Sequence, residues 1–342
     1  MFERRRVAFS LVALLLSTAL SGCLGADEEE VIRIAFSVQD DYASFDENPQ
    51  KLADYLSDAT GKRVEIYAIT SDSLALEALR FGSADMAFLD GGAAWMGWQQ
   101  YGLEAMAASV NSDGRTYYSA QAWVLDDSEA GLAATDSNAS TDPFEALAGS
   151  VTCHTGWLKS AGMLIPMGYF IGQGYAEVVG NENDIESLRS TIFNHFSEDA
   201  VIPESGTLYY SYGGALRCLS EGVGEVAFVK DSSVDAFCPD EGDREAWCLD
   251  PGRYVALPAF GQAPSHPLMY QPDTVDETTR DLIVEALVAL NTTEDGRSML
   301  SQILNTQGVV EVTTEEHLGS YGGLIEHVPG IKAYLGELYS SE

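Results

Sequence analysis

Apolar positions along this chain switch between two periods. Short runs such as "IRIAFSV" from Ile32, "RVEIYAI" from Arg63 and "ADMAFLD" from Ala84 have the length of strands. Between them, residues 48–59 and "SLALEALRFG" from Ser73 carry apolar side chains at helical spacing. Strand, helix and strand in that order predict βαβ units and a mainly parallel, covered sheet. A second series follows, with a strand in "SVTCHT" from Ser150, a helix from about Ser160 and another through "DIESLRSTIFNHF". It ends with "YGGALRCLSEG" leading into a strand at "EVAFVK".

The two series rhyme. Residues 78–90 and 215–231 each run helix, glycine turn, acidic residue, then a strand ending in a charge, which marks an internal duplication. Two similar α/β lobes joined by strands leave a cleft between them, the natural place for a ligand. "DDSEAGLAATDSNASTDP" from Asp126 reads as a surface insertion. The amphipathic "ETTRDLIVEALVALN" from Glu277 reads as a helix packing back onto the first lobe.

Composition adds a compartment. The 342 residues, 46% of them hydrophobic, suffice for two packed lobes. Eighteen Lys and Arg against 53 Asp and Glu leave a formal charge of −35, which repels nucleic acid and anionic membrane surfaces and suits a heavily solvated surface in salty water. Arg4, Arg5 and Arg6, an apolar run over residues 7–20 and then Ser21, Gly22 and Cys23 read as an export signal. The segment resembles a prokaryotic lipoprotein signal. That implies a signal peptide over 1–22, a lipid on Cys23, a solvated tether over 23–30, and a globular part held at the cell surface outside the cytoplasmic membrane.

Four cysteines remain, enough for two bridges in an oxidising compartment. The short separation of Cys238 and Cys248 favours a local loop closure, leaving Cys153 to pair with Cys218. Asn138 and Asn291 head short glycosylation patterns.

The chemistry concentrates in "GSVTCHTGWLKSAGMLIPMGYF" from Gly149. Thr155 falls at the end of a strand, and Lys159 at the threshold of a helix whose first free N–H groups belong to Ala161 and Gly162. Such N–H groups attract anions, and the small residues allow a close approach. The same signs also describe a capped, solvated helix start.

This stretch, as "CHTGWLKSAGMLIPMG", resembles the "CHTG, basic residue, SAG, IP.G" segment of transferrin lobes. Five further segments are similar to that family in the same order: "AFLDGGAAW", "TYYSAQAWVL", "YSYGGALRCLSEGVGEVAFVKDSSV", "AWCLD" and "QAPSH". The similarity runs from about Ala84 to Met269 and covers one lobe. It implies a fold that is α/β, two-lobed and periplasmic-binding-protein-like, with mixed sheets and a cleft between lobes. It also implies a first lobe of 31–117 plus 266–342 and a second of 118–265.

The resemblance carries iron ligands onto Asp90, Tyr118, Tyr212 and His266. It places an anion on Thr155, Lys159 and the N–H groups of Ala161 and Gly162. A carboxylate, two phenolates and an imidazole are hard donors suited to Fe(III), and a bidentate carbonate or bicarbonate completes six positions. The resemblance also pairs Cys153 with Cys218 and sets Lys230 on a position that serves an acid-sensitive latch in some lobes. Lys159 departs from the usual Arg and offers a point charge instead of a fork.

The expectation is a monomeric, non-enzymatic, lipid-tethered ferric-ion-binding protein acting in iron capture or handover, with an importer or receptor as partner. Its nearest rival is a phosphonate- or phosphate-type substrate-binding lipoprotein of an ABC transporter, which shares the fold and the anion logic without metal. A nonhaem ferric enzyme needs an open coordination position, which a bidentate anion would fill.

Overall fold

The computed structural model describes residues 31–37, 49–136 and 141–340. The export signal, Cys23, the tether and Asn138 lie outside the described residues. The first half contains β1 (Val31–Ser37), α1 (Pro49–Thr60), β2 (Arg63–Ile69), α2 (Asp72–Arg80), β3 (Met86–Phe88), α3 (Gly91–Tyr101), β4 (Glu104–Val110), β5 (Tyr117–Leu125) and α4 (Glu129–Thr135). Next come β6 (Thr152–Cys153), a π-helical turn (Ser160–Leu164) continuing into α5 (Ile165–Gly172), α6 (Glu186–His195), α7 (Ser211–Ser220), β7 (Val226–Lys230), α8 (Ser233–Phe237), β8 (Tyr254–Ala256) and β9 (Gly261–Pro264). The chain ends through β10 (Pro267–Tyr270), α9 (Glu277–Ala289), α10 (Glu294–Leu304), β11 (Gly308–Glu311), α11 (Thr314–Ile325) and α12 (Ile331–Leu338).

The strands form two sheets, one in the order β11-β4-β10-β3-β1-β2 and one in the order β6-β7-β5-β8, with β9 also on β5. The architecture is mixed α/β with two lobes, as expected. The mainly parallel sheet is not found. Parallel pairs are β1 with β2, β1 with β3, and β6 with β7, whereas β10 and β11 run antiparallel to their neighbours and β5 runs antiparallel to β7, β8 and β9. Helical crossovers impose parallel pairing, but β4, β5, β9 and β10 carry the chain between the sheets, and their direction follows from that traffic.

The two crossings lie side by side. Residues 111–116 lead from β4 to β5, and Ser265 and His266 lead from β9 to β10. Ser265 N–H donates to the Thr116 carbonyl at 2.9 Å, and Ser109 N–H to the His266 carbonyl at 3.0 Å. These bonds clamp both crossing strands just where site residues were expected.

Behind the first sheet, α9 buries Leu287 with Leu52 of α1, as its amphipathic pattern predicted, and α10 adds Leu300 to the same cluster. The helix α11 instead touches α5 and β9 on one side and α3 and β4 on the other. Its approach is close because side chains are missing. A Cβ on Gly168 would strike the Leu324 carbonyl, one on Gly261 the Leu324 side chain, and one on Gly322 the Trp95 indole.

Two local findings refine the sequence reading. Part of the expected insertion is the helix α4, started by Ser128, whose hydroxyl accepts from Gly131 N–H at 3.0 Å, and anchored by buried Ala130. The Asn291 amide is committed to β11, donating to the Val309 carbonyl at 2.6 Å and accepting from its N–H at 3.0 Å. Both disulfides read from the spacing are present, Cys153–Cys218 and Cys238–Cys248. The first ties β6 to α7.

Candidate metal and anion site

A cavity of about 820 Å³ opens between the sheets, and Asp90, Tyr118, Lys159, Ser160, His266 and Tyr339 are in its wall. Asp90 follows β3 and caps α3, accepting Ala93 N–H on Oδ1 at 2.7 Å. Leu89 N–H donates to the Pro267 carbonyl at 3.1 Å, which sets Asp90 beside the crossing that carries His266. Tyr118 lies on β5 opposite Ala263, near the same crossing. His266 is exposed toward the cleft.

Tyr212 is not in the cavity wall but neighbours Tyr118, and the two phenols sense each other electrostatically. It begins α7 after Ser211, whose φ of +68° is unusual for a non-glycine residue. Ser211 N–H donates to the Thr155 carbonyl at 2.9 Å. The start of the tyrosine helix is thereby fixed to the anion turn. Asp90, Tyr118 and Tyr212 thus converge. His266 shares the cavity with the first two.

Burial holds these phenols protonated. The Tyr118 hydroxyl is pushed up first by desolvation and then by the Asp90 charge, although the neighbouring Tyr212 and Ser160 pull the other way. Tyr212 is pushed up by desolvation and by Tyr118 beside it. A monovalent ion cannot expel both protons at neutral pH, whereas a trivalent one has the charge to do so. Among the described residues no three His, Cys, Asp or Glu side chains gather as a metal cluster. The phenols are what make this a plausible cation site at all.

The anion turn is preorganised around one orphan. Thr155 is 2% exposed, and its hydroxyl has no hydrogen-bond partner among the described residues. It fills the space that a Cβ on Gly162 would need, which explains the glycine. The first backbone bond of the π-helical turn runs from Leu164 N–H to the Lys159 carbonyl at 3.1 Å, leaving the N–H groups of Ala161 and Gly162 ahead of it. His154, fully buried with its pKa lowered to about 4 by desolvation, braces the turn. As the neutral ring, its Nδ1 faces the Gly162 carbonyl at 2.8 Å and its Nε2 the Thr152 hydroxyl at 2.9 Å. An oxyanion has a donor to meet here.

Both lysines flank the phenols. Lys159 sits 5.8 Å from the centre of the Tyr210 ring and lowers that phenol's pKa through a hydrogen bond. Lys230 sits 5.5 Å from the centre of the Tyr118 ring. Neither makes an ion pair among the described residues, and no lysine partner for Lys230 is found there.

Sequence reasoning missed four polar groups. Ser160 neighbours Tyr118, and its hydroxyl lies 3.2 Å from the Tyr321 hydroxyl. Tyr339 donates to both Asp90 oxygens at 3.1 Å. Asp72, at the start of α2, lies against Asp90 and is pushed up to about 7 by desolvation and that neighbouring carboxylate. Tyr321 and Tyr339 come from the C-terminal helices, beyond the reach of any motif. Asp72 reads as an ordinary first-turn acid.

Residues 34–317 match the family model described as "ABC transporter, phosphonate, periplasmic substrate-binding protein". The chain belongs to this family. Its members are substrate-binding proteins, which fits a cleft between two lobes and places the chain in a periplasmic class. The chain is also similar to transferrins. It is 27% identical to serotransferrin-1 of Salmo salar over 288 residues, 76% of this chain and 38% of that protein. Ovotransferrin of Gallus gallus is 29% identical over 272 residues, 70% of this chain and 36% of that protein. The chain therefore spans little more than a third of the length of these relatives.

XAC2383 from Xanthomonas citri, solved bound to chloride ion, shares the fold with a TM-score of 0.55 at 15% identity, covering 90% of this chain and 99% of that one. The expected transferrin membership is thus narrowed to similarity. The family shown is that of the rival reading, an importer's substrate-binding protein. Among the described residues no helix is long and apolar enough to cross a membrane.

Proposed function

We propose that this protein is the lipid-anchored, non-enzymatic substrate-binding component of an ABC importer. Its cargo is ferric iron taken up together with a carbonate-type oxyanion. The observation that carries the reading is the pair of neighbouring, partly buried phenols, Tyr118 and Tyr212, beside Asp90. A site for phosphonate alone would have no use for that acidic, phenol-rich wall.

In this reading Asp90, Tyr118, Tyr212 and His266 give four donors to the ferric ion. The anion, held by Thr155, Lys159 and the N–H groups of Ala161 and Gly162, supplies the remaining two. Both phenolic protons leave as the trivalent ion enters. Acid reverses this by protonating the phenolates and the carbonate. Lys159 grips a planar anion less firmly than Arg would, so anion exchange is part of release. Lys230, over the Tyr118 ring, puts a like charge near the arriving cation.

The second reading, phosphonate or phosphate without metal, is favoured by the family match. It uses the same anion turn.

One titration separates the two. Ferric iron added to the mature protein with bicarbonate should give a visible phenolate-to-iron absorption band, absent without bicarbonate and lost in Tyr118→Phe and Tyr212→Phe. A protein that stays colourless and binds a phosphonate tightly by calorimetry would establish the second reading instead.

A further inference from the structure

Tyr339, one residue beyond α12, places its hydroxyl between the two carboxylate oxygens of Asp90, 3.1 Å from each. That is where a cation chelated by both oxygens would sit. Gly92 makes the approach possible, since a Cβ there would stand 3.0 Å from the Tyr339 hydroxyl and 3.3 Å from Asp90 Oδ1. The end of α12 is pinned to α2, with Ser73 Oγ donating to the Leu338 carbonyl at 3.0 Å. Asp90 Oδ1 already accepts the Ala93 N–H. The carboxylate is thus held with its fork closed and one oxygen more available than the other.

Cations differ in what they ask of such a group. Calcium takes six to eight oxygens and often uses both oxygens of a carboxylate, whereas a compact six-coordinate ion is satisfied with one. Asp72, in the same cavity wall and beside Asp90, is a further oxygen donor that could join a calcium shell if Asp90 opened its fork. We infer that Tyr339 is a specificity-determining residue that restricts Asp90 to one-oxygen coordination and so selects a compact cation over calcium. The inference rests on the ferric reading for the identity of the favoured ion.

The test uses the apo mature protein as wild type, Tyr339→Phe and Gly92→Ala, with calcium followed by displacement of luminescent terbium and iron by the absorption band. Tyr339→Phe keeps the ring and removes the hydroxyl. It should raise calcium affinity roughly tenfold or more while ferric affinity stays level or falls. Gly92→Ala, whose methyl crowds the hydroxyl and shifts it by a few tenths of an ångström, should move selectivity in the same direction. Adding Asp90→Asn to Tyr339→Phe should abolish the gain. Unchanged calcium affinity in both variants, or a gain that survives Asp90→Asn, overturns the inference. A wild type without the ferric band, but with the calcium gain in Tyr339→Phe, would sink the ferric reading and leave the role of Tyr339 standing.

Discussion

Thr155 carries a hydroxyl into a pocket where it bonds to nothing within the chain. Leaving a buried polar group unpaired costs about 1–3 kcal/mol, so the apo protein is less stable than its isostere should be. Thr155→Val is expected to raise the unfolding free energy of the apo form by about 1 kcal/mol, read by denaturant titration. The same variant should need more bicarbonate to develop the ferric band. A loss of apo stability would mean that the hydroxyl is satisfied after all.

Residues of this kind were legible only through company. Asp90 by itself is a helix cap, and it does cap α3. Tyr118 alone is one aromatic residue in a strand. Their order along the chain made them candidates. Tyr339 and Asp72 had no such order to betray them, because contacts to Asp90 over such distances in sequence depend on packing.

At the scale of elements, periodicity located α1, α2, α6, α7 and α9 to within about two residues and set no bounds on α3, α10, α11 or α12. The strand at "RVEIYAI" matches β2 end to end. Strand direction was less accessible, since alternation reports which face is buried and not which neighbour lies alongside. The Asp- and Ser-rich composition of residues 126–143 also concealed α4. The α5–α11 contact was invisible for a different reason, being made by the absence of side chains. Gly168→Ala should test it. The added methyl meets the Leu324 carbonyl, and overpacking of this kind costs about 1–3 kcal/mol, despite the better helix propensity of alanine. Equilibrium unfolding would show that loss, and a neutral result would mean that α11 can draw back freely.

For the whole molecule, charge sets the conditions of stability. A formal charge of −35 makes the compact state repel itself, and salt screens that repulsion over about 10 Å at 0.1 M and less above it. The apo melting temperature is therefore expected to rise steadily as sodium chloride is added toward the molar range. A flat or falling curve would show that the carboxylates are already offset within the fold. The two-lobed plan was readable from the repeated order of elements. The bridging by α11 was not, since nothing in an amphipathic helix says that its two sides belong to different sheets.

That bridging bears on how the molecule can move. A helix gripped on one flank by α3 and β4 and on the other by α5 and β9 cannot stay seated on both while the halves swing apart on the crossing strands alone. One flank must slip. On the side of α5 and β9 the Leu324 side chain sits in the gap left by Gly261, and its carbonyl faces Gly168, so slippage there has to unseat one leucine. Admission of a solute would then turn on that leucine as on a catch.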